Sequence, residues 1–206
     1  MKVLLINGSP HKHGCTYTAL AEIVKELAKE SIEHEIYHIG IQPIRGCTGC
    51  NRCRELDRCT YDADIANEVI AKVRTADGFI FGSPVHFASA GGAMIALMDR
   101  LFYAAGPAFA YKPGASVVSA RRGGTSAAYD QLNKYIGISK MIMVPSQYWN
   151  MVHGNTPEQV LQDEEGLQIM RTLGKNMAWL LKLIANGNEN GIRIPEAEKR
   201  VSTNFI

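Results

Sequence analysis

The sequence predicts one α/β domain: a three-layer sandwich whose five-stranded parallel sheet, order 2-1-3-4-5, carries helices on both faces. Three observations predict it. Short apolar or β-branched runs alternate with longer stretches whose apolar residues recur at helical spacing, the pattern of right-handed βαβ crossovers. The first run ends at a glycine-containing turn that leads directly into a helical segment. The chain has 206 residues, 46% hydrophobic and 20% charged, enough for one core that needs neither disulfide nor metal to hold it.

The elements follow in order. Lys2–Asn7 (KVLLIN) is a continuous apolar run, as expected of a strand buried on both faces. Thr16–Glu30 places Leu20, Ile23, Val24, Leu27 and Ala28 on one helical face, with Thr16 or Thr18 as cap. His34–Ile39 is a second, more polar strand, and a cysteine-rich loop follows at 45–60. Asp62 or Asp64 opens a helix through Ile65, Val69, Ile70 and Val73. Gly78–Ser83 reads as the third strand, Gly92–Ala104 as the third helix, Ala115–Ala120 as the fourth strand and Ser126–Gly137 as the fourth helix. Lys140–Val144 is the fifth strand, and a last helix covers about Gln162–Ala185. Residues 1–185 thus form the domain. The tail, 186–206, has no clear period; Pro195 and Asn204-Phe205-Ile206 are expected to pack on a partner subunit. In this strand order the ligand crevice opens beyond the carboxyl ends of strands one and three, so the loops near Gly8, Gly82 and Ala120 should carry function.

Charge excludes some partners. Lys plus Arg number 22 against 20 for Asp plus Glu, a formal +2, with no basic block to suit a nucleic acid. No apolar run approaches the ~18 residues needed to span a bilayer, and the opening apolar run is too short for a signal peptide. A soluble, cytoplasmic protein is expected, with no membrane partner.

The first loop, Gly8-Ser9-Pro10-His11-Lys12-His13-Gly14-Cys15-Thr16, combines glycines, hydroxyls, basic side chains and a helix start. A helix N-terminus offers free N–H groups and the positive end of the helix dipole, so this composition suits a terminal phosphate. It matches neither the Walker pattern nor G-x-G-x-x-G, which favours a monophosphate over a dinucleotide or triphosphate.

On these residues the sequence resembles the flavodoxin-like NADPH-dependent FMN reductases, in which G-S-P-(x)-x-x-G-x-T binds the FMN phosphate. The resemblance covers Met1 to about Ala185 and implies a flavodoxin-like FMN-binding domain. It implies that Ser9, Lys12, Gly14, Cys15 and Thr16 surround the phosphate, although Cys15 stands where many relatives have asparagine. The second loop, Gly82-Ser83-Pro84-Val85-His86-Phe87, resembles the family's S-P-V-Y segment beside the flavin ring, with His86 where tyrosine is usual. Pro84, Val85, His86 and Phe87 are therefore candidate ring contacts. Ser119-Ala120-Arg121-Arg122-Gly123-Gly124-Thr125 forms the third loop. Negative charge on reduced flavin collects near N1 and O2, where Arg121 or Arg122 supplies positive charge and Ala120, Gly123 and Gly124 let the backbone approach.

Four of the five cysteines, Cys47, Cys50, Cys53 and Cys59, fall in thirteen residues as C-x2-C-x2-C-x5-C. Such clustering, in a chain without an export signal, points to metal or redox chemistry rather than to a disulfide framework. The first three repeat every third residue, as at the opening of a ferredoxin cluster motif, and Arg45, Arg52, Arg54 and Arg58 can offset cluster charge. A structural zinc site more often shows two separated C-x2-C knuckles, which are missing here. Reduced thiols, disulfides and zinc stay open on spacing alone. The spacing resembles the iron–sulfur flavoproteins, a branch of the same family with FMN and a [4Fe–4S] cluster.

That resemblance implies an FMN oxidoreductase taking electrons from NAD(P)H or a ferredoxin-like donor and delivering them to a quinone, a small oxidant or a protein. A cluster-free NAD(P)H-dependent FMN or quinone reductase, a flavodoxin-like electron carrier and a zinc-stabilised binding module are the alternatives. No catalytic triad or carboxylate pair is expected, because flavin carries the chemistry. A homodimer or homotetramer is implied, with the aromatic loop Tyr148-Trp149-Asn150-Met151-Val152-His153-Gly154 at the same end of the sheet available to cover a neighbour's flavin. The cysteine loop follows an edge strand while the flavin sits between strands one and three, which favours electron exchange across a subunit interface.

Overall fold

Strand β1 (Lys2–Asn7) is buried from Val3 onward because it has parallel neighbours on both sides and helices on both faces. Its neighbours are β2 (Glu33–His38) and β3 (Gly78–His86), and the side chains alternate between two cores. Leu4 and Ile6 face one core; Val3 and Leu5 face the other. The computed structural model describes residues 1–199 and 201–203.

The remaining elements are α1 (Cys15–Lys29), α2 (Cys53–Leu56), α3 (Ala66–Thr75), β4 (Ser89–Ala90), α4 (Gly92–Ala104), α5 (Gly106–Phe109), β5 (Pro113–Ala120) and α6 (Thr125–Ile138). They are followed by β6 (Ile142–Met143), β7 (Met151–His153), α7 (Pro157–Val160) and α8 (Glu164–Glu189). Helices α1 and α8 cover one face of the sheet, and α3, α4 and α6 the other. On that second face Phe79, Phe81, Phe102 and Phe109 pack ring on ring, with Phe102 and Phe109 stacked at 4.2 Å.

The sheet runs β2-β1-β3-β5-β6, which is the expected order once the strands are counted by crossover. Two further strands correct the reading. The fifth strand is split: Ile142–Met143 pairs with the start of β5 and Met151–His153 with its end. Pro145 lies in the interruption, and proline brings no N–H to a ladder. The third strand, expected to end at Ser83, continues through Pro84–His86 and folds back on β4, with Val85 opposite Ala90 and His86 opposite Ser89. The last helix reaches Glu189, past the expected end at Ala185, and the Asp163 carboxylate caps it by accepting from Gly166 N at 2.9 Å. Beyond it Pro195 is exposed on irregular chain, and Asn204-Phe205-Ile206 lie outside the described residues. Among the described residues no helix is long and apolar enough to cross a membrane.

Two glutamates tie elements together by charge. Glu22 of α1 accepts from Lys25 at 2.5 Å and from Arg171 of α8 at 2.7 Å. Burial pushes its carboxyl up, but the two cations outweigh it and hold the group below its ordinary 4.5. The Lys72 ammonium at 2.7 Å holds Glu35 down against its burial, with Lys2 at 3.0 Å helping. Both carboxyls are depressed in the folded state, so their contribution is complete above the unfolded value and is lost as pH falls through the folded one. Thermal melts should show Tm level above about pH 4.5 and declining below it. Substituting Glu22→Gln should flatten part of that decline.

Candidate functional site

The crevice lies at the carboxyl ends of β1, β3 and β5. Its first wall is the turn after β1. Gly8 N donates to Gly82 O at 2.8 Å, and a Cβ at Gly8 would stand 2.8 Å from that oxygen and 2.9 Å from Met94, so only glycine fits. Asn7 organises the turn from below, donating from Nδ2 to Lys12 O at 3.1 Å and accepting from Ser9 N at 3.2 Å. Ser9, itself buried, accepts from His11 N at 3.1 Å, and its carbonyl meets His38 Nε2 at 2.9 Å. The turn ends at Gly14, where α1 begins with extended backbone and no side-chain cap. The first-turn N–H groups therefore stay available to an anion, beside exposed His11, Lys12 and His13.

Thr16 and Cys15 are placed differently from simple phosphate donors. The Thr16 hydroxyl is buried and hydrogen-bonds Ser119 Oγ at 2.8 Å, joining the start of α1 to the end of β5. The Cys15 thiol donates to Gly154 O at 3.6 Å, and burial pushes its pKa up, so it stays protonated and anchors the chain after β7.

The second wall is the β3–β4 hairpin. Pro84 and Val85 are half-buried, while His86 and Phe87 are exposed. Phe87 and Ala88 form the turn with φ of 51° and 59°, a left-handed pair that L residues adopt at a cost of about 1–2 kcal/mol each. The hairpin is braced from behind: Gln131 Oε1 accepts from Ser89 Oγ at 2.8 Å and from Ala90 N at 2.9 Å, and Ser83 Oγ accepts from Gly91 N at 2.8 Å.

The third wall abuts the second. Gly124 has φ 90°, and a Cβ there would lie 2.8 Å from Ala88 Cα and 3.0 Å from Val85 Cγ1. Ala120 ends β5, its carbonyl accepting from Gly154 N at 3.0 Å, and Arg121, Arg122 and Gly123 are exposed. All three predicted loops thus meet around one crevice. Tyr148 lines a further cavity with Met151, His153 and Asp163, and Trp149 lies beside Tyr148. The two rings pack together at 5.1 Å in the segment that interrupts the fifth strand, at the sheet edge, and Met151–His153 beyond them is strand rather than loop.

The cysteines form a second centre. Cys47, Cys50, Cys53 and Cys59 all line one cavity of about 300 Å³, together with Arg45 and Arg100. Cys50 is exposed and the other three are half-buried. The chain turns tightly around them, with φ of 64° at Gly49 and 57° at Asn51. Gly49 N donates to Cys47 Sγ at 3.4 Å, the Cys53 thiol donates to Tyr103 O at 3.5 Å, and Arg100 Nε donates to Cys59 Sγ at 3.2 Å. Asn67 clamps the backbone of Cys59, accepting from its N at 2.9 Å and donating to its O at 3.0 Å. The Arg52 N–H pulls the exposed Cys50 thiol down, with help from Thr48; burial pushes Cys53 up, reinforced by the three neighbouring sulfurs.

Among the described residues no three His, Cys, Asp or Glu side chains close into a single-ion site. Tetrahedral zinc at about 2.3 Å from sulfur would draw its thiolates to about 3.8 Å from one another. Four thiols lining one cavity of about 300 Å³ are a donor set suited to a sulfur-ligated centre.

Of the four arginines that the sequence places around the loop, Arg45 lines the cavity and Arg58 pairs with Asp62 at 2.8 Å. Sequence reasoning missed Arg100, whose guanidinium enters the cavity from α4. The available signal was an arginine between Leu97 and Leu101 on an otherwise apolar helical face.

Comparison with known proteins bears on both centres. The model of the NADPH-dependent FMN reductase family matches residues 1–156, which contain all three crevice loops and the four clustered cysteines. An iron–sulfur flavoprotein of Methanocaldococcus jannaschii is 33% identical over 192 residues, covering 89% of this chain and 99% of its own. Among solved structures, RosB with bound 8-demethyl-8-formylriboflavin-5′-phosphate has a TM-score of 0.71 at 14% identity, covering 100% of this chain and 94% of its own. A flavodoxin from the domain Archaea has a TM-score of 0.60 at 15% identity, covering 88% and 99%. At such identities the two structures share the fold.

Proposed function

Because this chain belongs to the NADPH-dependent FMN reductase family, on its iron–sulfur flavoprotein branch, we propose that it passes electrons through FMN and a [4Fe–4S] cluster. The donor is NAD(P)H or a reduced ferredoxin-like protein; the acceptor is a quinone, a small oxidant or a protein. One observation carries the cluster assignment: Cys47, Cys50, Cys53 and Cys59 line a single cavity of about 300 Å³.

FMN supplies two-electron and one-electron chemistry when bound, and the protein supplies position and charge. The open end of α1, with Ser9, Lys12, Gly14, Cys15 and Thr16 around it, holds the phosphate dianion. Thr16 acts there through Ser119, keeping the helix start seated on β5. Pro84, Val85, His86 and Phe87 lie along the ring, and the braced hairpin keeps them in place without reorganisation. Ala120, Gly123 and Gly124 bring backbone to the polar edge of the ring, and Arg121 and Arg122 add positive charge there.

The cysteine cavity lies along α4 at Arg100–Ala104, eight to twelve residues from Gly92. That is about 12–18 Å down the helix from the hairpin. The separation supports exchange between one protomer's cysteine loop and its partner's flavin in a homodimer or homotetramer.

The test is composition and rapid kinetics on anaerobically purified protein. Four iron and four sulfide per FMN are expected, with flavin absorbance bleached by NADH or NADPH at a rate set by pyridine nucleotide concentration. Flavin without iron would leave a cluster-free reductase. Bleaching only through a protein donor would leave an electron carrier.

A further inference from the structure

Arg100 projects from the apolar face of α4, among Met94, Leu97, Met98 and Leu101, and is 2% exposed. A cation so deeply buried stays charged only if its donors are satisfied. Nη1 meets the Asp64 carboxylate and also donates to Arg45 O at 3.3 Å; Nη2 donates to Tyr61 O at 2.8 Å. The guanidinium lies 5.4 Å from the Tyr61 ring centroid. Asp64 is held in turn, accepting from Arg45 N at 3.0 Å and Ala66 N at 3.1 Å. Burial pushes its carboxyl up, but Arg100 and these two N–H groups outweigh it and keep it ionised.

With both Nη nitrogens held by oxygen acceptors, Nε points at Cys59 Sγ at 3.2 Å. Rotating the guanidinium off the sulfur would break its other bonds, so the contact is imposed by the surroundings.

We propose that Arg100 sets the reduction potential of the centre held by Cys47, Cys50, Cys53 and Cys59, through its hydrogen bond to the Cys59 sulfur. The inference rests on the ligand assignment made above. A one-electron reduction adds one negative charge, much of it shared with the ligand sulfurs. A fixed N–H donor on one sulfur, at the end of a cation shielded from water, stabilises that added charge and raises the potential. The exposed Arg58 is screened by solvent and contributes far less. Asp64 opposes Arg100: it fixes the guanidinium but also cancels part of its charge. Removing the donor and removing the counter-charge should therefore move the potential in opposite directions. A purely structural ion pair would leave it unmoved in both cases.

The experiment uses anaerobic holoprotein, with iron, sulfide and flavin measured before each redox titration, and the cluster and flavin followed separately by EPR and visible absorbance. Arg100→Lys keeps a charge opposite Asp64 but loses Nε. It should retain four irons and FMN while its reduction equilibrium shifts about tenfold toward the oxidised form, about 59 mV for a one-electron couple. Asp64→Asn should shift the equilibrium the other way, and the flavin midpoints should not move in either variant. Both variants fully loaded at the wild-type midpoint would overturn the proposal. If Arg100→Lys does not fold, Asp64→Asn decides alone, and an unchanged or lowered midpoint overturns it. A wild-type protein that binds FMN but no iron would overturn the ligand assignment itself, and this inference with it.

Discussion

Cys50→Ala is expected to abolish the visible absorbance of the proposed iron–sulfur centre while FMN stays bound in stoichiometric amount. Cys50 is the most exposed of the four clustered cysteines and sits at a surface turn between Gly49 and Asn51. Its truncation opens no cavity in either core, so the fold should survive and the loss should be read directly as loss of a ligand. The crevice loops at Gly8–Thr16, Ser83–Ala90 and Ala120–Gly124 contain none of the clustered cysteines, and flavin binding should follow suit. Cys15→Ala is the matching control. Its thiol anchors Gly154 O rather than the cavity, so iron content should be unchanged. Four irons retained in the Cys50 variant would disprove its place among the ligands.

Gly124→Ala should weaken FMN by one to two orders of magnitude. Two effects add: the residue sits at φ 90°, outside the range an L side chain adopts without strain, and the new Cβ would meet Ala88 Cα at 2.8 Å. Overpacking of this kind costs about 1–3 kcal/mol. Here the atoms that must yield belong to the hairpin proposed to lie along the flavin ring, so the loss should fall on binding more than on the distant cores. Fluorescence titration of apoprotein with FMN and with riboflavin separates the origins. Both flavins should lose affinity alike if, as proposed, the third loop meets the ring and not the phosphate. A selective loss for FMN would place Gly124 at the phosphate instead.

The crossover order of the sheet was legible in sequence because it depends on local period. Apolar runs such as KVLLIN alternate with helical faces such as Leu20, Ile23 and Leu27, and handedness then leaves one economical winding. The three crevice loops were legible for the same reason: they are where that winding places the carboxyl ends of β1, β3 and β5. The hairpin at Ser83–Ala90 was not, because its Phe87–Ala88 turn lacks the Asn-Gly or Gly residues that announce such turns and is held by Gln131, more than 40 positions away. Nor was the split fifth strand, since Met151–His153 is too short for periodicity to register.

For the candidate centres the division is sharper. Four cysteines in thirteen residues point to metal or redox chemistry, and a glycine- and hydroxyl-rich turn before a helix suits an anion. Neither pattern says what stands opposite. Arg100 meets Asp64 from 36 positions away and Arg45 from 55, and Thr16 meets Ser119 from 103. Such pairings are chosen when helices pack on a finished sheet, where burial makes every unsatisfied donor costly. Local sequence therefore sufficed to single out the loops and thiols that the fold gathers, and packing decided which buried charge looks onto the Cys59 sulfur.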